Sequence, residues 1–407
     1  DSIGYQTQEV KAARTMKIIL KEDSELLQEV VVVGYGTQKK ANLTGAVATV
    51  DVNKTLDSRP IADIGRGLQG AVAGVNITIP TGEVGSDPLI KIRGQVGSIS
   101  GNNTPLILLD NVEIPSIQMV NPNDVQSISV LKDAASSSIY GSKAAFGVIL
   151  ITTKSGAQSD KFEISYSNNF SWQDPAKKIE IGGIEALQYT LDAQTNRREP
   201  MPAGGFWRIS PESLEKAIEW QNLYGGKVKW NDPVVYGRDW FYDGKDKYGY
   251  RLYDGAKAMI KNWTPTMTHN LSVNGKSGKT SYNIGLGYLD QSGMSKTAKK
   301  DDFKRYNASV SVTSEINKYI TVRASSIYSD RNKRYPGIGN TTADPWLYLY
   351  RWSPLMPMGV TENGNPLKEP TYEMAAANTD NLQNKYYNIN LGFTLNLTKN
   401  WDVKFDY

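Results

Sequence analysis

Cysteine is absent from the 407 residues. That excludes a disulfide framework, a thiolate metal site and a cysteine nucleophile. Histidine occurs once, as His269, which leaves little material for histidine-based catalysis or zinc binding. Net charge is scarce as well: 46 basic and 42 acidic residues leave +4, without the basic footprint of a nucleic-acid binder. No apolar run approaches the ~20 residues that a membrane-spanning helix requires, and mean hydropathy is −0.45. A helical membrane protein is thereby excluded. A β-barrel is not, because its strands show only weak, alternating hydrophobicity.

Alternation is what the second part of the chain contains. In "FEISYSNNFSWQ", even positions carry Phe162, Ile164, Tyr166, Asn168, Phe170 and Trp172, and odd positions carry Glu, Ser and Asn. The same period of two predicts strands over 267–274, 280–290, 306–312, 320–328 and 387–397, and a seventh from Trp401. The turns "KSGK", "EINK" and "TKN" are short, whereas 174–265 and 332–385 are long. Structureless loops of that length are rare in compact soluble domains. Short turns on one side and long loops on the other fit a transmembrane barrel, with aromatic strand ends at the two interfaces. A soluble antiparallel sandwich is the alternative, and it accounts less well for so many polar opposite faces. Seven strands cannot close a barrel, since an open edge in lipid leaves backbone groups unpaired. The chain opens mid-pattern with "DSIGYQTQEV" and stops in a strand pattern with "WDVKFDY", so it is read as a fragment whose strands continue.

Residues 42–157 have another texture, short strands mixed with turns. A helix is expected from Ser58-Arg59-Pro60 toward Gly70. Inside it lies "GRGLQG", a literal G-x-G-x-x-G. The dinucleotide reading is rejected, because no strand precedes the motif and it does not open the helix. Strands are expected in "GVNITI", "PLIKIRG", "LILLDNVEI", Val125–Leu131 and Phe146–Thr153, with a helix over Asp133–Tyr140 stopped by Gly141. Residues 1–22 read as two short strands, and 23–41 as a polar linker. That linker carries "EVVVVGYGTQKK", a strand-prone valine run with no returning partner strand expected after it.

Several stretches together resemble the SusC/RagA type of TonB-dependent outer-membrane transporter found in Bacteroidetes. They are "LQEVVVVGYGTQKKANLTGAV", "LQGAVAGVNI", "IRG", "LLDNV", "NPNDVQSISVLKDAASSSIYGSKAAFGVILITTKSG" and "HNLSVNGKSGKTSYNIGLGYLDQSGM". The resemblance implies a barrel, of 22 strands in the full protein, with an α+β plug (42–157) in its lumen. Residues 1–22 would end a small carboxypeptidase-regulatory-like sandwich, and 158–407 would supply about the first seven barrel strands. It implies a TonB box at Glu29, Val30, Val31, Val32, Val33, Gly34 and Tyr35, a strand that adds to a sheet edge of TonB. It also implies a SusD-like surface lipoprotein as lid, a dimer of that pair as a further expectation, and an oligosaccharide or oligopeptide substrate.

No catalytic constellation, metal site or cofactor site is read from the chain. Asp301 and Asp302 read as solvated loop carboxylates, "DGKDKYG" lacks the order of a calcium loop, and His269 reads as interfacial packing. Arg66, Arg93 and Asp110 are candidates for plug gating, with barrel partners expected beyond the chain. Gln95, Ser98, Asn102 and Asn103 on a polar plug loop are candidate substrate contacts. So are Trp207, Trp240, Trp346 and Trp352 in the long loops, for which packing or lid contact is the more frequent role of a tryptophan. Active import is the first functional expectation. A surface binding or adhesion protein on a barrel scaffold is the alternative, and a passive porin conflicts with the plug.

Overall fold

The computed structural model describes residues 30–33, 36–39, 47–50, 52, 63–79, 83–94, 103–156, 162–175, 179–337, 345–398 and 401–406. The valine run does find a partner. β1 (Val30–Val33) pairs antiparallel with β2 (Gly36–Lys39), Val31 opposite Gln38. The expectation of an unpaired run is therefore corrected: the polar stretch Gly36–Lys39 returns alongside it. Among the described residues β1 and β2 form a sheet of their own.

The plug begins with β3 (Val47–Val50). Helix α1 (Ile64–Leu68) starts at an extended Asp63, whose carboxylate accepts from the Arg66 amide at 2.8 Å. A helix running unbroken from Ser58 is thus corrected, since the cap residue is non-helical. "GRGLQG" spans that short helix and its exit, with Gly70 at φ +74°. β4 (Val75–Thr78) pairs with β5 (Leu89–Ile92). β6 (Leu106–Leu109), β7 (Val112–Glu113), β8 (Val125–Leu131), the short helix α2 (Ala134–Ser137) and β9 (Val148–Thr153) follow. The main plug sheet has the order β3-β8-β9-β6-β7, in which only β6–β9 is parallel. Its Val, Ile and Leu side chains form a core around Ile64, Leu68, Ile117, Ile128, Ile149 and Ile151.

β10 (Glu163–Gln173) opens the second sheet. The first long loop then folds into α3 (Ile184–Asn196), α4 (Pro211–Tyr224), the hairpin β11 (Trp240–Tyr242) and β12 (Lys247–Gly249), and α5 (Gly255–Met259). Strands β13 (Thr264–Ser277), β14 (Thr280–Ser292), β15 (Asp302–Glu315) and β16 (Ile320–Pro336) come next. The second long loop holds α6 (Pro345–Arg351) and α7 (Pro370–Ala376), before β17 (Thr379–Thr398) and β18 (Trp401–Asp406). All seven strands lie in one antiparallel sheet in chain order. They run further than the alternation indicated, so the long loops shrink to 174–263 and 337–378.

The two faces of the sheet differ as a barrel wall requires. On β15, Phe303, Arg305, Asn307 and Ser309 are buried, whereas Tyr306 and Val310 are exposed. Ile284, Leu286, Val322, Ile389, Leu391 and Phe393 share that exposed apolar face, which suits lipid. It ends toward the loops at stacked rings, His269–Tyr288 at 6.2 Å and Tyr288–Tyr306 at 5.0 Å. His269 is thus part of an aromatic row, where Tyr166 shares a 2.7 Å hydrogen bond with its Nδ1. Past Tyr288 the outer face turns charged: Lys304 pairs with Asp290 at 3.0 Å, and Arg334 grips Asp302 with two hydrogen bonds of 2.9 and 2.8 Å. The solvated reading of the 301–302 carboxylates is therefore corrected. Asp301 turns inward to accept the Ser295 amide at 2.8 Å, and burial raises its pKa.

The two long loops share their cores. Leu355, from the second, is buried among Leu187, Leu191, Ile209, Leu214 and Ala217 of the first. The Val234 amide donates to Val360 and the Tyr253 amide to Pro354, both at 2.8 Å. Beside this seam Asp239 is fully buried, accepting from Trp220 Nε1 at 2.8 Å, the Val235 amide at 2.9 Å and the Arg238 guanidinium at 2.8 Å. Burial pushes its pKa up, but these donors outweigh burial and the net shift is downward. Leu355→Ala should weaken the loop unit by about 2–5 kcal/mol. Limited proteolysis should then cut both loops together, and cleavage confined to 337–378 would show that they fold separately.

Candidate functional site

The candidate site is the seam where the plug meets the inner face of the wall. On the wall, β14 carries Gly285 and Gly287 facing the plug. A Cβ at Gly285 would stand 2.5 Å from Asp124 Oδ1, and one at Gly287 would stand 2.5 Å from Asn121 Nδ2. The missing side chains let "NPND" lie directly on the strand. Asn121 caps the single turn Pro122–Asp124, its side chain accepting the Asn123 amide at 3.3 Å. Its Nδ2 donates to Asn270 Oδ1 at 3.0 Å. Asp124 Oδ2 accepts from Ser309 Oγ at 2.9 Å, and burial raises the pKa of Asp124. Arg305 Nη1 and Asn307 Nδ2 donate to the carbonyls of Gln118 and Met119 at 2.9 and 2.8 Å. These buried polar groups find partners across the seam, as burial favours, while Arg305 Nε and Ser329 Oγ stay without one among the described residues.

A second contact lies near the loop end of β16. Lys333 Nζ meets Glu83 at 2.7 Å, and Arg331 Nη1 donates to Ser116 Oγ at 2.8 Å and to Asp87 Oδ1 at 3.4 Å. Ser116 in turn donates to Asp87. Between these polar links Val84 is buried against Leu289 and Phe303, and Gly85, at φ +69°, lies on the Phe303 ring. Asp87 is about half exposed, so its pair with Arg331 contributes less than ~1 kcal/mol. Burying Val84 contributes about 1.5–3 kcal/mol, so the apolar contact holds and the charges orient.

The gating candidates occupy other places. Arg66 pairs within the plug, with Asp63 at 3.2 Å. Arg93 is exposed in a left-handed turn at φ 55°, its amide donating to Gly74 at 2.7 Å. Among the described residues neither reaches the wall. Asp110 and Asn111, at φ 47° and 68°, make the tight turn between β6 and β7. The Asp110 carboxylate accepts the Thr153 amide at 2.9 Å and its hydroxyl at 2.7 Å, and its carbonyl accepts from Asn390 at 3.1 Å. Burial raises its pKa. Asp110 also lines a cavity of about 320 Å³ with Lys154, Arg323, Asn390 and Lys404. Among the described residues the charged wall contacts start from the barrel side: Arg305, Arg331 and Lys333 reach plug carbonyls, a hydroxyl and carboxylates. Their signal was present in the sequence as odd-numbered basic residues opposite the apolar face of β15 and β16.

Of the substrate candidates, Gln95, Ser98 and Asn102 lie outside the described residues, as do Glu29, Gly34 and Tyr35. Asn103 stands just before β6. Trp207 and Trp240 pack on each other edge to face at 5.7 Å, and Tyr236 packs on Trp240 at 5.0 Å. Trp352 packs beside Val234, Tyr253 and Met358, and Trp346 opens α6. "DGKDKYG" is the β11–β12 turn, with Asp243 Oδ1 accepting the amides of Lys245 and Asp246 at 2.8 and 2.7 Å.

Residues 39–148 match the family described as TonB-dependent Receptor Plug Domain. The chain is 30% identical over 319 residues to the TonB-dependent receptor SusC of Bacteroides thetaiotaomicron, covering 76% of this chain and 27% of the relative. It is 29% identical over 394 residues to the TonB-dependent receptor P26 of Formosa agariphila, covering 94% and 35%. The solved RagAB peptide importer in its open-open state superposes with a TM-score of 0.64 at 28% identity, covering 93% of this chain and 42% of that one. The chain belongs to the SusC/RagA type of TonB-dependent receptor. It spans about a quarter to a third of the length of these two curated relatives. In this receptor the seam joins plug and barrel wall, the wall being the seven-stranded sheet of the described residues.

Three variants test the seam. Gly287→Val should unseat Asn121 and lower the thermal stability of the plug, because no space exists for the new side chain. Ser309→Ala removes the hydroxyl donor from the buried Asp124 and should cost about 1–3 kcal/mol. Asp124→Asn should be close to neutral, since it removes a charge that burial already disfavours. A large loss in Asp124→Asn beside a silent Ser309→Ala would contradict this account of the seam.

Proposed function

We propose that the full protein is a TonB-dependent importer of large nutrients in the outer membrane. The observation that carries this reading is a plug of the receptor family seated on the polar face of a sheet whose other face suits lipid. A closed barrel of about 22 strands would surround that plug. An adhesin has no use for the plug, and a passive porin would be blocked by it. The substrate is an oligopeptide or an oligosaccharide. The likeness to a peptide importer supports the peptide, and the packing of Trp207 against Trp240 removes one argument for sugars. A SusD-like lipoprotein is the partner expected over the folded loop unit, and a pair of such complexes is compatible with it.

Energy would enter at residues 29–35. Among the described residues Val30–Val33 pairs on one edge only, with Gly36–Lys39, and an edge strand can extend a sheet of TonB. Each added backbone hydrogen bond contributes ~0.5–1.5 kcal/mol with little side-chain demand. Asp110, Arg66 and Arg93 would then act inside the plug, holding its turns.

Val31→Pro tests the proposal, because proline removes an N–H donor and fits badly in a paired strand. Cells carrying this variant should lose at least tenfold in uptake of fluorescent oligopeptides or oligosaccharides. Surface binding of the same probes should stay unchanged, and Val31→Ile should import normally. Normal uptake with Val31→Pro would sink the mechanism, and lost surface binding would assign the run a folding role.

A further inference from the structure

Positive charge is placed unevenly on the loop side of the wall. Lys257 and Lys261 precede β13, and Lys296, Lys299 and Lys300 lie on the connection 293–301 between β14 and β15. That connection is held against both long loops. The Lys261 amide donates to Met294 and the Lys296 amide to Met259, both at 2.7 Å, and Lys296 Nζ reaches the Lys257 carbonyl at 3.2 Å. On its other side Thr297 Oγ1 donates to Thr371 at 2.9 Å and Lys299 Nζ to Ala376 at 3.3 Å. The carboxylates nearby are engaged elsewhere. Asp254 caps α5, Asp302 is gripped by Arg334, and Glu373 lies near Lys368. Asp301 turns inward to Ser295, although it attracts Lys261. Lys257, Lys296, Lys299 and Lys300 are exposed. Like charges gathered in this way repel one another, so an anion that enters the cluster stabilises it.

Two tryptophans set the depth of the cluster. Trp172 lies opposite Pro265, on β10 and β13, and is 61% exposed. Trp263 is 65% exposed although its backbone is left-handed at φ 57°. That conformation is costly for a bulky residue, and here it leaves the indole outside the loop cores. β13, β14 and β15 each have a strand on either side, so their outer face is open to lipid and not to a further strand. Exposed tryptophan at a barrel rim belongs to the headgroup region. Lys261 stands four residues from Pro265, at most about 14 Å of chain, so the ammonium groups lie just beyond the hydrocarbon, at the level of lipid phosphates. We propose that Lys257, Lys261, Lys296, Lys299 and Lys300 bind the phosphates of an anionic glycolipid in the outer leaflet, with Trp263 against its sugar. This rests on the outer-membrane reading above, with the long loops on the outer side of the cell. Lysine suits phosphate as a point charge on a flexible stem. An acidic partner protein matches the charge but not the two exposed indoles beside it.

Fluorescent lipid A, with its two phosphates and stripped of them, is titrated into the full-length receptor in detergent micelles. The phosphorylated form should bind at least tenfold tighter. Raising salt from about 0.05 to about 0.5 M should weaken it at least tenfold, because screening shortens the reach of each charge. Lys257→Gln, Lys296→Gln, Lys299→Gln and Lys300→Gln together should lose at least tenfold at an unchanged melting temperature, and the matching Lys→Arg set should bind as the parent does. Phosphatidylglycerol, an anionic lipid without sugar, should bind at least tenfold more weakly than lipid A. Equal binding of the two lipid A forms, or full binding by the glutamine variant, would overturn the inference. Loss of an acidic lid or of acidic oligopeptide uptake in that variant would then show what the lysines serve instead. Equal binding of phosphatidylglycerol would assign the cluster to any anionic headgroup and overturn the glycolipid. Ala298→Cys should be labelled above the parent in intact cells by a membrane-impermeant maleimide. Absent labelling, with lipid A binding intact in the purified receptor, would count against the outward orientation of the loops alone.

Discussion

A strand that crosses a bilayer has one face in hydrocarbon and another that must be covered, and this single requirement organises the chain. Lipid tails offer no hydrogen bonds, so backbone groups pair strand to strand and polar side chains gather on the inner face. Here that inner face includes Arg305, Asn307, Ser309 and Arg331, all buried. Their donors need acceptors, and the plug supplies carbonyls at Gln118 and Met119 and carboxylates at Asp87 and Asp124. Much of the plug surface facing these strands is thereby set by the wall.

Close approach follows from the same demand. Hydrogen bonds of about 3 Å between a side chain on one strand and a turn on the plug leave no volume for a third side chain. β14 meets this with glycine at 285 and 287, at the cost of strand propensity. Its neighbours Ile284, Leu286 and Tyr288 keep the lipid face, so the strand is bare on one side and bulky on the other. The seam is selective for small residues at two positions and for hydrogen-bonding residues on the strands to either side, Asn270 and Ser309.

Much of this was legible in the residues. Alternation over 162–172 and 387–397 named the strands and their lipid face, because a barrel strand must alternate. Plug strands β4, β5, β8 and β9 were legible because each run is short and bounded by turn residues, whereas β3 was not read and "LILLDNVEI", read as one strand, is β6 and β7 folded at Asp110-Asn111. The wall contacts were not. Periodicity shows that Arg331 and Lys333 face inward, but which plug loop lies opposite depends on how the two units pack. The reading therefore named Arg66 and Arg93, with partners expected beyond the chain, and did not single out Arg305, Arg331 and Lys333. Strand ends also escaped it: β16 continues through "RNKRYP" because, above the aromatic row, strands need no apolar face. The hairpin of the valine run was missed since Gly36–Lys39 is polar and glycine-led, weak by propensity and paired by proximity.

The same strands that seat the plug also carry the loops. β16 ends at Pro336, and the second loop, with Leu355 in the core of the first, begins at the next residue. Lys333 and Arg331, the residues that hold Glu83 and Asp87, lie within one or two pleats of that junction. The folded loop unit and the 83–87 segment thus have a common base, a strand paired on both sides from Thr321 to Arg334. Such a strand resists bending, because any local shift must break ladder bonds with β15 and β17 together. A rigid base transmits position and not flexibility. It holds the 83–87 segment in a fixed position relative to the loops, because both rest on the same strand.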